Sequence, residues 1–118
     1  MNRPKRAFDL EERTIKFSEN IILLCQKARK TIMTTNIVSQ LLRSATSIGA
    51  NYHEANGASS RKDFKNKIFL CKKEGKETMY WLQLLSKADK DSLAECRTLW
   101  KEAYELTRIF TSIVATMK

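Results

Sequence analysis

The sequence has few of the residues that interrupt regular structure. Its 118 residues include three glycines and one proline. All-β architectures need many turns, and turns favour glycine and proline, so this scarcity argues against a β fold. No apolar run approaches the roughly 18 residues that a membrane span needs. The basic N-terminus is followed by no apolar stretch, so we read no secretory signal and expect a cytoplasmic protein.

Residues of catalytic and metal chemistry are also scarce. The three cysteines, Cys25, Cys71 and Cys96, are widely spaced, and no C-x-x-C pair or Cys/His cluster occurs. Each falls on an apolar helix stripe, which favours buried thiols in a reducing compartment over a metal site. The one histidine, His53, has no partner at catalytic or ligand spacing, so a surface or interface position is the better interpretation. We therefore predict no enzyme activity, no cofactor and no metal.

What the sequence does have is apolar residues at helical spacing in four segments. They recur at alternating steps of three and four residues, which is the spacing of helices that pack lengthwise against one another. Asp9 is the predicted N-cap of the first helix and Ser60 that of the third, and the threonine-rich segment 31–35 is the predicted first connection. The pattern predicts a single domain over residues 1–118, an all-α antiparallel up-down-up-down four-helix bundle with helices at about 9–30, 36–56, 61–87 and 90–117.

The third segment is a helix with three distinct faces. One is the apolar seam, on which Gly75 lies, and another carries the acids Glu74 and Glu77. The remaining face carries four cations that have no acidic residue three or four positions away, so they repel one another unless an anion lies across them. These four cations are Arg61, Lys65, Lys72 and Lys76, and Lys62 and Lys73 lie at the edge of the face. We call all six residues the basic stripe.

The net charge of +9 is unevenly distributed along the chain. Residues 61–88 carry eight basic and three acidic side chains, whereas residues 89–118 carry five of each. Such asymmetry is typical of proteins that bind nucleic acid or another polyanion. Whether the stripe is available depends on the fourth helix, because pairing with Glu95, Glu102 or Glu105 would make it ordinary interhelical contact.

The second and fourth helices carry more small or apolar surface than one bundle seam requires. A wide core face and a subunit interface are both open explanations. The seam position of Trp100 favours the core over base stacking, and Phe69 projects from the basic face as an interface anchor or a stacking platform. The residues that we predict at an oligomer interface are Arg43, Gly49, Asn51, Tyr52, Glu54, Phe69, Trp81, Leu99 and Leu106.

Two segments carry a resemblance to a known family. The sequence QLLRSATSIGANYHEA at 40–55, and Asp63-Phe64 followed by KEGKETMYWL at 73–82, resemble the bacterial four helix bundle protein family. Its members were first noticed as reading frames inside intervening sequences of large-subunit ribosomal RNA genes, and the family is also similar to accessory proteins of diversity-generating retroelements. The resemblance covers about residues 8–115.

The resemblance implies an up-down four-helix bundle that assembles as a homopentamer, with a positively charged surface that contacts RNA and no established enzymatic activity. Gly75 departs from the family, whose members commonly have alanine there. Because glycine inside a helix costs about 0.5–1 kcal/mol relative to alanine, we expect close approach of another helix at this position.

Two functional hypotheses follow. The first is a non-enzymatic oligomer that binds RNA electrostatically through the basic stripe. The alternative is a structural or adaptor oligomer whose partner is a protein such as a reverse transcriptase. Neither hypothesis includes a membrane or a small-molecule substrate.

Overall fold

The computed structural model describes the backbone of residues 5–117 and the side chains of residues 10–117. Each helix packs against its neighbour in sequence, and α1 and α4 close the ring with fewer contacts. This arrangement confirms the predicted all-α up-down-up-down four-helix bundle. The described helices are α1 (Lys5–Lys27), α2 (Ile32–Asn56), α3 (Arg61–Ala88) and α4 (Leu93–Thr116), with a one-turn 3₁₀ helix at Lys90–Ser92 before α4.

The core is built from the seams that the sequence predicts. Large side chains from all four helices are almost completely buried, among them Phe17, Ile48, Leu82 and Phe110. Burial of each such side chain contributes about 1.5–3 kcal/mol, so the apolar pattern is the main force that brings the helices together. Within the part of the chain that the structure describes, no helix is apolar enough over its length to cross a membrane.

The first connection is shorter than the sequence predicted. Thr31 is the N-cap of α2 in extended backbone conformation, and its Oγ1 accepts a hydrogen bond from the Thr34 backbone N at 3.2 Å. In return, Thr34 Oγ1 accepts from the Thr31 backbone N at 2.9 Å. The threonines thus form a capping box that starts the helix at Ile32 rather than near Asn36. β-branched residues have modest helix propensity, which hid this start at the sequence level.

Two further helix ends differ from prediction. The first helix begins at Lys5, so Asp9 lies inside α1 and is not its N-cap. It ends at Lys27, three residues earlier than predicted, where Asp89 Oδ2 accepts a hydrogen bond from the Arg29 backbone N at 3.0 Å. Ser60 caps α3 as predicted, its side chain accepting from the Asp63 backbone N at 3.0 Å.

Both helix-interior glycines lie where another helix of the same chain comes close. Gly75 of α3 is buried against Thr107 of α4, and a β-carbon on Gly75 would overlap the Thr107 hydroxyl oxygen. Gly49 of α2 faces Thr14 of α1, where an added β-carbon would lie 3.3 Å from the Thr14 Cβ. The expected close approach at Gly75 is therefore confirmed.

Candidate nucleic-acid interface

The basic stripe lies on the flank of α3 that adjoins α4. Four of its six side chains are exposed, and those of Lys65 and Lys72 are half-buried. Lys72 lies over the ring of Phe69, with Nζ 5.7 Å from the ring centroid. Among the side chains of residues 10–117, no acid forms an ion pair with any of the six. The stripe therefore presents positive charge that no ion pair with a described side chain neutralises.

Glu74 and Glu77 of α3 lie on the opposite flank and pair with α2. The Arg43 guanidinium contacts Glu77 and lies 3.3 Å from Glu74 Oε1. The indole Nε1 of Trp81 donates to Glu77 Oε2 at 2.9 Å. These donors, the indole first and Arg43 after it, lower the pKa of Glu77, while partial burial opposes them. The acidic face is thus neutralised mainly from α2. Lys73 of the stripe also lowers the pKa of Glu77 by Coulombic attraction, without forming an ion pair with it.

Two of the three acids of α4, Glu95 and Glu102, turn toward α1 instead of the stripe. Arg13 donates from Nε and Nη2 to the two carboxylate oxygens of Glu102, at 3.0 and 2.8 Å. Lys27 Nζ lies 2.7 Å from Glu95 Oε2. Glu105 is exposed and has no ion pair with the side chains that the structure describes. Pairing across the α3–α4 boundary, which would have made the stripe an ordinary contact, therefore does not occur in the described chain.

The opposite flank of α4, which faces α3, carries cations that the sequence reasoning missed. Arg97 and Lys101 line a groove between the two helices, and Arg108 Cζ lies 5.8 Å from the ring centroid of Tyr104. Residues 89–118 carry equal numbers of acids and bases, which concealed the clustering of these cations on one flank. The spacings of four residues from Arg97 to Lys101 and of seven from Lys101 to Arg108 were the signal of a common face. We call the basic stripe together with Arg97, Lys101 and Arg108 the α3–α4 face.

Three residues predicted at an oligomer interface belong to the core of a single chain. Leu106 is fully buried, Leu99 is 6% exposed, and Tyr52 is 4% exposed with its ring centroid 6.0 Å from that of Phe110. The second apolar line on α4 thus widens the core face, and the interface prediction for these three is wrong. The reason is that α4 packs on both α3 and α1, so it buries a broader arc than one seam.

Gly49 and Asn51 also have explanations inside the chain. Gly49 allows α1 to approach through Thr14, and its place at a subunit contact stays a prediction. Asn51 Nδ2 donates to the Ser47 carbonyl of its own helix at 2.9 Å. Neither residue requires a second copy of the chain to account for its type.

The charged and aromatic residues predicted at an interface also have partners within the chain, and their place at an interface stays a prediction. Glu54 pairs with Lys67 at 2.7 Å, and this pairing lowers the pKa of Glu54. Arg43 and Trp81 both donate hydrogen bonds to Glu77. Glu54, Arg43 and Trp81 therefore each have a polar partner within the chain. Phe69 is different, because half of its surface is exposed, and its role as interface anchor or stacking platform stays a prediction.

An apolar patch that the sequence reasoning did not assign lies across α1 and α2. Ile15, Ile22 and Leu42 are 57%, 42% and 38% exposed. The Thr14–Gly49 contact sets an antiparallel register that places Leu42 level with Ile22 and Ile15 level with Gly49. The seven-residue spacing of Ile15 and Ile22 is the signal in the sequence that could have found it. We call these three residues the α1–α2 patch.

The three thiols are free, and they are less exposed to solvent than the histidine is. Burial raises the pKa of Cys25 to about 11 and those of Cys71 and Cys96 to about 12, and all three are free thiols. His53 is exposed on α2, as predicted. Among the described residues, no group of three or more potential metal ligands comes together.

Comparison with known proteins identifies relatives over most of the chain. The sequence model of a family described as "23S rRNA-intervening sequence protein" matches residues 6–112. A crystal structure of a protein of unknown function from the S23 ribosomal protein family of Bacteroides thetaiotaomicron matches with 31% identity and a TM-score of 0.78. The match covers 89% of this chain and 97% of that one. No curated protein matches the chain.

Proposed function

The chain belongs to the 23S rRNA-intervening sequence protein family, and on that premise we propose that it is a non-enzymatic protein that binds RNA through the α3–α4 face. One observation carries the proposal: the cations of this face have no ion-pair partner in the described chain, while Glu74 and Glu77 of α3 pair with α2, and Glu95 and Glu102 of α4 pair with α1. Phosphate groups supply the missing anions.

The proposed binding is electrostatic and independent of sequence. Lysine and arginine displace condensed counterions from the RNA backbone, so affinity falls steeply as salt rises. For four phosphate contacts to a single strand, raising salt from about 50 to about 200 mM is expected to weaken binding about 50-fold. Affinity measured without variation of salt would not test this mechanism.

The experiment is fluorescence anisotropy of a labelled RNA with two matched charge-reversal variants. Lys72→Glu with Lys76→Glu removes two cations of the basic stripe, whereas Lys16→Glu with Lys30→Glu makes the same change of net charge away from it. We expect the first pair to abolish binding at about 50 mM salt and the second pair to weaken it only modestly. Circular dichroism confirms that both variants fold. Absence of RNA binding at this salt, or equal loss in both pairs, overturns the proposal.

We further propose that the chain self-associates through the α1–α2 patch, with the homopentamer implied by the family resemblance as the expected assembly. The exposed side chains of Ile15, Ile22 and Leu42 support this surface, which lies on α1 and α2 and so away from the basic stripe on α3. Copies joined there would repeat the α3–α4 face around the assembly, and repetition strengthens binding to a long polyanion.

Sedimentation equilibrium tests the assembly. Ile22→Glu is expected to dissociate it, whereas Leu23→Glu, on the other flank of α1 and similarly exposed, is the matched control. A monomeric wild-type chain, or dissociation by Leu23→Glu alone, overturns this surface as the contact between copies. Co-purification of a stoichiometric protein after nuclease treatment would favour the adaptor hypothesis instead.

A further inference from the structure

A groove of about 390 Å³ runs between the C-terminal part of α3 and the N-terminal part of α4. Its floor is apolar and aromatic, formed by Leu82, Cys96 and the half-buried ring of Trp100. The polar side chains of Gln83 and Ser86 lie along the α3 side. The cations Arg97 and Lys101 lie along the α4 side. The groove thus combines a flat apolar surface, hydrogen-bonding groups and positive charge.

We propose that this groove receives one unpaired nucleobase of a bound RNA, an inference that rests on the proposed function and gives it a substrate class. Recognition would then favour single strands and loops over regular duplex, because a paired base is held inside its stack. The volume is at the low end of small-ligand pockets, about 300–1,000 Å³, which suits one nucleotide rather than a helix of another protein.

The Trp100 ring in the floor of the groove has a fixed orientation. The rings of Trp100 and Tyr104 are parallel within 5° and their centroids are 5.5 Å apart. Arg108 lies over the Tyr104 ring, so the indole is the end of a ladder of stacked groups along α4. An indole held in this way loses little conformational entropy when a base stacks on it, and stacking tolerates every base because each has a π-face.

The charges at the groove suit the phosphates on either side of such a base. Arg97 and Lys101 are exposed, and neither forms an ion pair with the described side chains. Along α3, Gln83 follows Lys76 by two helical turns on the same flank, which separates them by about 10 Å at 1.5 Å per residue. A strand that follows the basic stripe therefore reaches the groove without leaving positively charged surface.

The polar groups of the groove can contact the edge of a base. Ser86 Oγ donates to the Gln83 carbonyl at 2.7 Å, which leaves its oxygen as an acceptor. The exposed Gln83 amide offers both a donor and an acceptor. The Gln83 amide can either donate or accept, and Ser86 can only accept, so these two groups distinguish poorly between bases. The groove is therefore expected to accept any base with modest preferences.

The experiment uses Trp100 as its own reporter. The chain has two tryptophans, so Trp81→Phe leaves Trp100 as the single source of indole fluorescence. Single-stranded and duplex RNA of about 12 nucleotides, a length that single-strand binders cover, are titrated at low salt with fluorescence and anisotropy recorded together. We expect quenching by the single strand and not by the duplex, with the single strand bound about tenfold more tightly.

A second variant blocks the groove without altering the indole. Ser86→Phe places a ring at the partly exposed rim and is expected to abolish both the quenching and the single-strand preference, while anisotropy still reports electrostatic binding. Gln26→Phe, on the exposed face of α1, is the control.

The outcomes separate this inference from the proposed function. Equal binding of single strand and duplex without quenching overturns the base groove and leaves electrostatic RNA binding intact. Failure of both RNAs to bind overturns the base groove and the proposed RNA-binding function together. Quenching of Trp100 by polyglutamate as strongly as by single-stranded RNA would assign the groove to an acidic protein segment and overturn the inference.

Discussion

Gly75 and Thr107 fix how closely α3 and α4 approach each other. The Gly75 position is buried, and a β-carbon there would lie 3.4 Å from the Thr107 Cβ and overlap the Thr107 hydroxyl oxygen. That hydroxyl donates to the Ala103 carbonyl at 2.7 Å, which holds the side chain in place. The lower helix propensity of glycine is thus offset by close packing of the two helices that form the candidate RNA surface.

Gly75→Ala is therefore expected to destabilise the fold, although alanine is the better helix former. Overpacking of a core costs about 1–3 kcal/mol, which exceeds the gain of about 0.5–1 kcal/mol in helix propensity. Urea unfolding followed by circular dichroism measures the difference. Gly57→Ala is the control, because its β-carbon would meet its nearest neighbour, the Glu54 carbonyl, at an ordinary 3.8 Å. Adding Thr107→Ala to Gly75→Ala should recover part of the loss, and independent, additive effects would contradict the steric explanation.

Thr34→Val is expected to lower the free energy of unfolding by about 1–2 kcal/mol, because it removes one half of the capping box. Thr34 is almost completely buried, and the Thr31 backbone N–H would lose its acceptor. Thr35→Val is the matched control, since its exposed hydroxyl donates only to the Thr31 carbonyl, and it should change stability by less than about 0.5 kcal/mol. Equal effects of the two substitutions in thermal or urea unfolding would argue against the cap.

Asp89 should make the stability of the bundle depend on pH. Its Oδ2 accepts from Ser92 Oγ at 2.6 Å and from the Arg29 backbone N at 3.0 Å, and these bonds, the serine first, lower its pKa. Because the pKa of Asp89 is lower in the folded protein, the ionised carboxylate stabilises the fold at pH values above the ordinary carboxyl pKa of about 4. This stabilisation is lost as the pH falls through the lowered pKa of the folded state.

Asp89→Ala is accordingly expected to cost about 1.5–3 kcal/mol at neutral pH and much less at the acid end of the series. Urea unfolding of both proteins between neutral and acid pH measures the difference. The neighbouring Asp91, 84% exposed and 3.3 Å from Arg29, is the control, and its replacement by alanine should change little at any pH. A difference between wild type and Asp89→Ala that does not vary with pH would show that the lost hydrogen bonds act independently of charge.

The cysteines should react slowly in the folded protein. With pKa values of about 11 to 12, about one thiol in a thousand or fewer is a thiolate at pH 8, and burial restricts access further. Alkylation by iodoacetamide, followed by mass spectrometry, is expected to be slow in buffer and fast in urea. Half-buried Cys25 should react first. Rapid native alkylation of Cys71 or Cys96 would contradict their placement in the core.

The sequence by itself determined the fold class and most of the core. Seam residues such as Ile48 and Leu82 are buried where the periodicity places them, because the spacing of apolar residues dictates which face of a helix leaves water. It also determined the basic stripe and the need for close packing at Gly75, since both follow from one helix alone. Helix ends were less predictable. The Arg29 backbone N, just beyond the end of α1, donates to Asp89 at the far end of α3, and the start of α2 is set by a local capping box of threonines with modest helix propensity.

Only the tertiary structure decided which charges meet. Glu102 turns to Arg13 and Glu77 to Arg43, choices between helices that no spacing along one helix reveals. These pairings leave the cations of the α3–α4 face without ion-pair partners in the described chain. The packing of α4 on both α3 and α1 buries Leu106, which was predicted at an interface. The physical reason is that pairing and burial depend on which flanks of two helices adjoin, and this is set by how all four helices pack together.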